Sequence, residues 1–197
     1  MSSKLFKAII LGAPASGKGT ISKRILDKYG FKHIASGDIL RMNIANNTEL
    51  GVAAKKYIDE GKLVPNDLII KCIMTRIDEC NSSSWLLDGF PRTFEQAKQL
   101  HSVHKVNAVI NLNVPFEVIV DRVKGRWIHL PSGRVYNIGF NEPKVPGKDD
   151  ETGDELVQRP DDQPDVVRKR LEVYQDTINP VIEFYEKLGL VQGQDCS

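Results

Sequence analysis

An apolar run, Ala8-Ile9-Ile10-Leu11, leads directly into Gly12-Ala13-Pro14-Ala15-Ser16-Gly17-Lys18-Gly19-Thr20 and then into a helix-like stretch. A strand, a glycine-rich turn and a helix in immediate succession form a loop that binds phosphate. Glycines at 12, 17 and 19 let the backbone turn its N–H groups inward around an oligophosphate. The following helix adds the positive end of its dipole, and Lys18 supplies a point charge for the β and γ oxygens. The ligand class is therefore a nucleotide. The usual Gly-Lys-Ser/Thr ending is here Gly-Lys-Gly-Thr, so the hydroxyl of Thr20 is displaced by one residue.

Apolar runs then alternate with helical patterns, as in a parallel α/β sheet with helices on both faces. Strands are expected near residues 5–11, 33–35, 84–88 and 107–113. Helices fit Lys18 to Lys28, Ile39 to Asn46, Leu50 to Glu60, Asn66 to Glu79, Thr93 to His104, Phe116 to Arg126 and Pro164 to Lys187. Asp67 starts one helix, and Gly30 and Gly61 stand where helices should end. Residues 127–162 change character: rich in Pro, Gly and Asp with short β-type runs, they predict a small β insertion too long to be an idle loop. The chain of 197 residues, 41% hydrophobic and 27% charged with formal net charge +1, suits one compact domain and gives no sign of a nucleic-acid partner. Cys72, Cys80 and Cys196 show no paired spacing and read as reduced thiols. No apolar run approaches the roughly 18–20 residues that span a bilayer, and Met1 to Lys7 is too short for a cleavable secretory signal.

Three further groups carry chemistry. Trp85-Leu86-Leu87-Asp88 is an apolar strand ending in a carboxylate beside the phosphate loop, the position of a residue that organises Mg²⁺. Such a carboxylate also caps turns; the neighbouring loop favours the metal role. Arg92, just past that strand, faces the crevice at the carboxyl ends of the strands, where open α/β sheets bind ligands. Ser36-Gly37-Asp38-Ile39-Leu40-Arg41 follows the second strand, and Arg122, Arg126, Arg159 and Arg170 form a series with Asp161 and Asp162 beside it. Each arginine alone reads as a surface charge. Several converging on one crevice suit phosphoryl transfer, which asks mainly for positioning of anions and neutralisation of spreading charge.

These motifs in this order, with Pro-Ser-Gly-Arg-Val-Tyr-Asn at 131–137 and Leu-Asp-Gly-Phe-Pro-Arg-Thr at 87–93, resemble the adenylate kinase family from Leu5 to about Gly189. The resemblance implies a parallel-sheet core of the phosphate-loop NTPase type (1–34, 65–126 and 163–197), a helical AMP-binding flap (35–64) and a lid (127–162). It implies reversible transfer of the terminal phosphoryl group of a magnesium-bound triphosphate to AMP, giving ADP, by a monomer. By the same resemblance Gly12, Ala15, Ser16, Gly17, Lys18, Gly19, Thr20, Arg122, Arg126 and Tyr136 bind the triphosphate, with Arg122 stacked on its base. Ser36, Gly37, Arg41, Leu63, Val64, Gly89, Arg92, Gln96, Arg159 and Arg170 form the AMP site. Lys18, Arg92, Arg126, Arg159 and Arg170 are the catalytic residues, and Asp88 organises Mg²⁺ largely through water.

Some relatives carry four zinc-binding cysteines in the lid. At what look like those positions stand His129, Ser132, Asp149 and Thr152, which satisfy one another by hydrogen bonds, so no zinc is expected. Asn111 to Ile119 and Arg126-Trp127-Ile128-His129 look most like the mitochondrial-matrix GTP:AMP phosphotransferase subgroup. GTP and ATP both stay open as donor, as do matrix and cytoplasm as location. Two departures from the family stand out. Ala15 replaces a usual glycine and is strained by about 1 kcal/mol if the position needs positive φ. Val191 to Ser197 is too short for both a last strand and a last helix, so a nucleotide-binding but catalytically impaired relative is the rival reading. A regulatory GTP switch would want an Asn-Lys-x-Asp motif, which does not occur.

Overall fold

The computed structural model describes residues 5–80 and 82–195. Cys196 therefore lies outside the described residues. Five parallel strands form one sheet: β1 (Lys7–Gly12), β2 (Lys32–Ala35), β3 (Trp85–Asp88), β4 (Ala108–Asn113) and β7 (Val191–Asp195), in the order β2-β3-β1-β4-β7. Strand β1 is central because both of its faces are apolar. Ile9 and Leu11 pack with Trp85, Leu87 and Val109 against helices α4 (Asn66–Asp78), α5 (Phe94–Val103) and α7 (Pro164–Lys187). Ala8 and Ile10 face the other way with Leu86 and Leu112, against Ile21, Ile25 and Leu26 of α1 (Lys18–Tyr29). A strand buried on both faces reads as an unbroken apolar run, as this one does.

The chain leaves β1 for β3 and β2 on one side and β4 and β7 on the other, so the crevice outside the carboxyl end of β1 is the place where such sheets take ligands. Two insertions overhang it. The first comprises α2 (Ser36–Ala45) and α3 (Glu49–Asp59), joined by a turn in which Thr48 caps α3 by accepting from Gly51 N at 3.1 Å. A Cβ on Gly51 would lie 2.1 Å from Asn43 O, so only glycine lets these helices approach so closely. The second insertion follows α6 (Phe116–Lys124). It holds the antiparallel pair β5 (Arg126–Ile128) and β6 (Val135–Asn137) and returns through a short 3₁₀ turn, Pro160–Asp162, into α7.

The structure moves three expected boundaries. Helix α2 begins at Ser36, so Ser36-Gly37-Asp38 is its first turn rather than a loop before it. Helix α6 stops at Lys124, and Arg126 opens β5 at the root of the β insertion. Val191–Asp195 forms the fifth strand, pairing from Val109↔Val191 to Asn113↔Asp195, so the edge of the sheet is finished by the segment expected to be too short for strand and helix together.

Candidate active site

The loop between β1 and α1 wraps around the ammonium of Lys18, which donates to Gly12 O and Ala13 O, each at 2.8 Å. Burial, with Arg92, Arg170 and Arg126 nearby, lowers its pKa to about 8 against the opposing pull of Asp88. A Cβ on Gly12 would lie 2.6 Å from Ser16 Oγ, and that buried hydroxyl has no hydrogen-bond partner among the described residues. Gly19 and Thr20 sit exposed in the first turn of α1, and Gly17 precedes it with φ 92°. Arg122 reaches back from α6 to Ser16 O at 3.5 Å.

Ala15 has φ 59°, so the left-handed conformation anticipated for this position is the one adopted. An L side chain there costs roughly 1–2 kcal/mol, part of which glycine would return through its freer unfolded chain. Ala15→Gly is expected to stabilise the protein by about 0.5 kcal/mol, a rise of ~1–2 °C in calorimetric Tm. A lower Tm would show the loop relaxed around alanine.

Asp88 ends β3 opposite Ile10 of β1 and Ala35 of β2. Burial pushes its carboxyl up, but the His33 ring, 3.7 Å away, and the Lys18 ammonium outweigh burial and hold it below the usual range. His33 escaped the sequence reading; its signal was register, since it lies two residues before Ala35 and so on the same face of β2. Past β3, Arg92 Nε donates to Gly89 O at 2.7 Å, and burial, with Arg170 and Arg41, pulls its pKa to about 10. Ser36 Oγ donates to the same carbonyl at 2.7 Å. Gln96 is a brace: its Oε1 accepts from Arg92 N at 2.7 Å and its Nε2 donates to Asn66 Oδ1 at 2.8 Å. Ser36, Leu63, Val64, Gly89, Arg92 and Gln96 together line a cavity of about 40 Å³. Gly37 lies beside it in α2, where a Cβ would come within 2.9 Å of Arg41 Nη2. A larger cavity of about 190 Å³ between β4, α6 and α7 touches the phosphate loop only at Ala13 and has no arginine in its lining, so it lies apart from this chemistry.

Four arginines meet three aspartates where the two insertions approach each other. Arg126 grips Asp162 through Nε, at 2.8 Å, and Nη2. Arg170 Nη1 contacts Asp161 Oδ2 at 2.6 Å and lies 3.8 Å from Asp162. Arg41 donates to Asp38 at 2.6 Å and lies 3.9 Å from Asp161, and Arg159 lies 3.8 Å from Asp38, its buried Nε without a hydrogen-bond partner among the described residues. Burial, with Arg41 and Arg126, lowers the Arg159 pKa to about 10, and Asp161 is held low by Arg170 and Arg41 despite its own burial. Guanidinium groups so placed, each held by a carboxylate and keeping further donors, suit phosphate oxygens.

In the β insertion the four expected residues do form a polar cluster, and the structure adds Arg134, Tyr136 and Asp154 to it. His129 Nδ1 meets Ser132 Oγ at 2.7 Å and Nε2 meets Asp154 Oδ2 at 2.9 Å. Arg134 binds both oxygens of Asp149 at 2.8 and 2.6 Å, and Thr152 donates from N and Oγ1 to Asp149 Oδ2. Arg134 in particular holds the Asp149 carboxyl far below its usual range. Tyr136 donates to Asp149 Oδ1 at 3.0 Å and accepts from Asp150 N at 2.8 Å, so its hydroxyl is spoken for inside the insertion rather than at the phosphate loop.

The family model described as adenylate kinase matches residues 10–190. Among curated proteins, a relative described as a mitochondrial GTP:AMP phosphotransferase, from Drosophila melanogaster, is 59% identical over 191 residues, covering 97% of this chain and 88% of its own length. Agreement of that extent shows that the chain belongs to the adenylate kinase family.

Proposed function

We propose that the protein reversibly transfers the terminal phosphoryl group of a magnesium-bound nucleoside triphosphate to AMP, with GTP as the donor and the mitochondrial matrix as its location. The carrying observation is the convergence of Arg41, Arg126, Arg159 and Arg170 on one crevice, between the Lys18 loop and the cavity beside Arg92. The name of the Drosophila relative supports GTP and the mitochondrion. In this reading the loop from Gly12 to Thr20 takes the donor phosphates, Arg122 lies against the donor base, and the cavity lined by Ser36, Leu63, Val64 and Gln96 is the closed AMP site. That cavity is far below the few hundred Å³ usual for a ligand site, so 35–64 must swing away to admit AMP; 127–162 is the lid over the donor. Closure of both excludes water, the competing acceptor. A coupled assay offering ATP, GTP, CTP and UTP in turn with AMP tests the reading. AMP phosphorylation fastest with GTP is expected, and absence of turnover with every donor would establish the impaired alternative.

Asp88 fits Mg²⁺: it is a hard oxygen donor kept ionised at the mouth of the crevice. An ion bound there with the nucleotide would be held by Asp88 and would supply positive charge to offset that of the phosphates. The remaining work falls to the chain. Arg126 and Arg170, held in place by Asp162 and Asp161, turn their remaining donors to phosphate oxygens, Arg92 and Arg159 bear on the transferring group, and Lys18 leaves the Gly12 and Ala13 carbonyls to follow the charge that develops on it.

In the lid we propose a hydrogen-bonded pin in place of zinc, because the oxygens of Asp149 are committed to Arg134, Tyr136 and Thr152. Asp149→Ala strands those donors and is expected to lower Tm and weaken donor binding, while chelator leaves the wild-type Tm unchanged. One zinc per chain by elemental analysis would refute the pin, and so would an Asp149→Ala protein with unaltered Tm and donor affinity.

A further inference from the structure

Asp38 stands in the first turn of α2, the end of a helix that favours an acidic side chain. Its Oδ1 accepts from Arg41 Nη2 at 2.6 Å and lies 3.8 Å from Arg159 Nη2. One oxygen thus stands between a guanidinium of the helical insertion and a guanidinium at the root of the β insertion. The two neighbouring aspartates differ from it in burial: the Asp161 and Asp162 side chains are 6% and 2% exposed, whereas that of Asp38 is 46% exposed. An anion arriving on these arginines cannot expel a buried carboxylate without stranding a charge in a dry site. Asp38 can turn into water at little cost.

We propose that Asp38 is a positioning residue that occupies, in the empty enzyme, the place of the acceptor phosphate, holding Arg41 and Arg159 together and setting AMP affinity by competing with the incoming anion. The proposal rests on the AMP-site reading above. Two guanidinium groups brought this close repel each other unless an anion stands between them. A phosphate carries more charge and three oxygens, so it displaces the single carboxylate. Asp38 then faces a like charge and turns outward. Binding is an exchange of anions, and the Arg41–Asp38 interaction is subtracted from it.

Removing the charge should therefore tighten the acceptor site. By calorimetry with AMP alone, Asp38→Asn is expected to lower Kd about three- to tenfold, and to lower KM for AMP in the same direction while KM for the triphosphate moves less than about twofold. Inorganic phosphate should compete with AMP more strongly in this variant than in the wild type. Asp38→Glu, which restores the charge, should return to wild-type affinity, and the Tm of each variant excludes a folding defect. Unchanged or weaker AMP binding in Asp38→Asn, or equal tightening toward the triphosphate, would overturn the proposal. The parallel variant Arg41→Ala separates the two readings. If it loses AMP while Asp38→Asn binds as wild type, only the competition fails; if it keeps wild-type affinity, the AMP-site reading fails as well.

Discussion

Lys18→Met is expected to lower turnover by two or more orders of magnitude, a loss of about 3 kcal/mol of transition-state stabilisation. Methionine keeps much of the length of the side chain and removes its cation. In the empty loop that cation rests on the carbonyls of Gly12 and Ala13, and burial has brought its pKa to about 8. It remains largely charged near neutrality, and its mobile stem can carry the charge along with the transferring group. Arginines fixed on Asp161 and Asp162 cannot replace that motion. Saturating both nucleotides isolates kcat from binding, and Tm controls for the lost loop hydrogen bonds. Turnover near that of the wild type would remove Lys18 from the mechanism.

The parts of the site legible in sequence were those set by short-range pattern. Glycine spacing in residues 12–20 and a strand ending in Asp88 carry their meaning within a few residues, whereas the arginines, spread from 122 to 170, carry theirs only as a series, and the structure brings Arg126, Arg159 and Arg170 to one crevice. What escaped depends on register and on pairing across long stretches of chain. His33 meets Asp88 only because β2 lies beside β3. Asp154 and Arg134 join the polar cluster of the β insertion across 25 and 15 residues, which no local pattern encodes. The short strand β7 was obscure for another reason: Val-Gln-Gly-Gln-Asp has little β character by composition, and it forms because β4 offers an open edge with apolar surface for Val191. The sequence pattern starts α2 only at Ile39 because Ser36-Gly37-Asp38 reads as turn chemistry, although an acidic residue in a first helical turn is equally a start signal.

The arrangement of charges also explains how so many arginines share a small volume. Arg41, Arg126, Arg159 and Arg170 would repel one another, and Asp38, Asp161 and Asp162 offset that repulsion and keep them aimed. Burial alone would favour losing the charge, as the lowered pKa values of Arg92 and Arg159 indicate. The carboxylates thus keep the cluster cationic and ordered until phosphate replaces part of their role.

Within that cluster Arg41 tests whether the two nucleotide sites are separable. It is carried by α2 in the helical insertion, whereas the phosphate loop hangs from β1 and α1, so its loss should be felt on one side of the crevice. A guanidinium bonded to a phosphate contributes roughly 1.5–3 kcal/mol, and Arg41→Ala is therefore expected to raise KM for AMP about 10- to 100-fold. KM for the triphosphate should change less than about threefold, because Lys18 and the loop amides that face the donor remain in place. The variant leaves Asp38 only the longer contact with Arg159, and because that carboxylate can turn into water, little change in Tm is expected alongside the kinetic effect. Measuring KM for each substrate with the other saturating distinguishes local loss from general damage. Equal increases for AMP and triphosphate would mean that α2 does not carry the acceptor site.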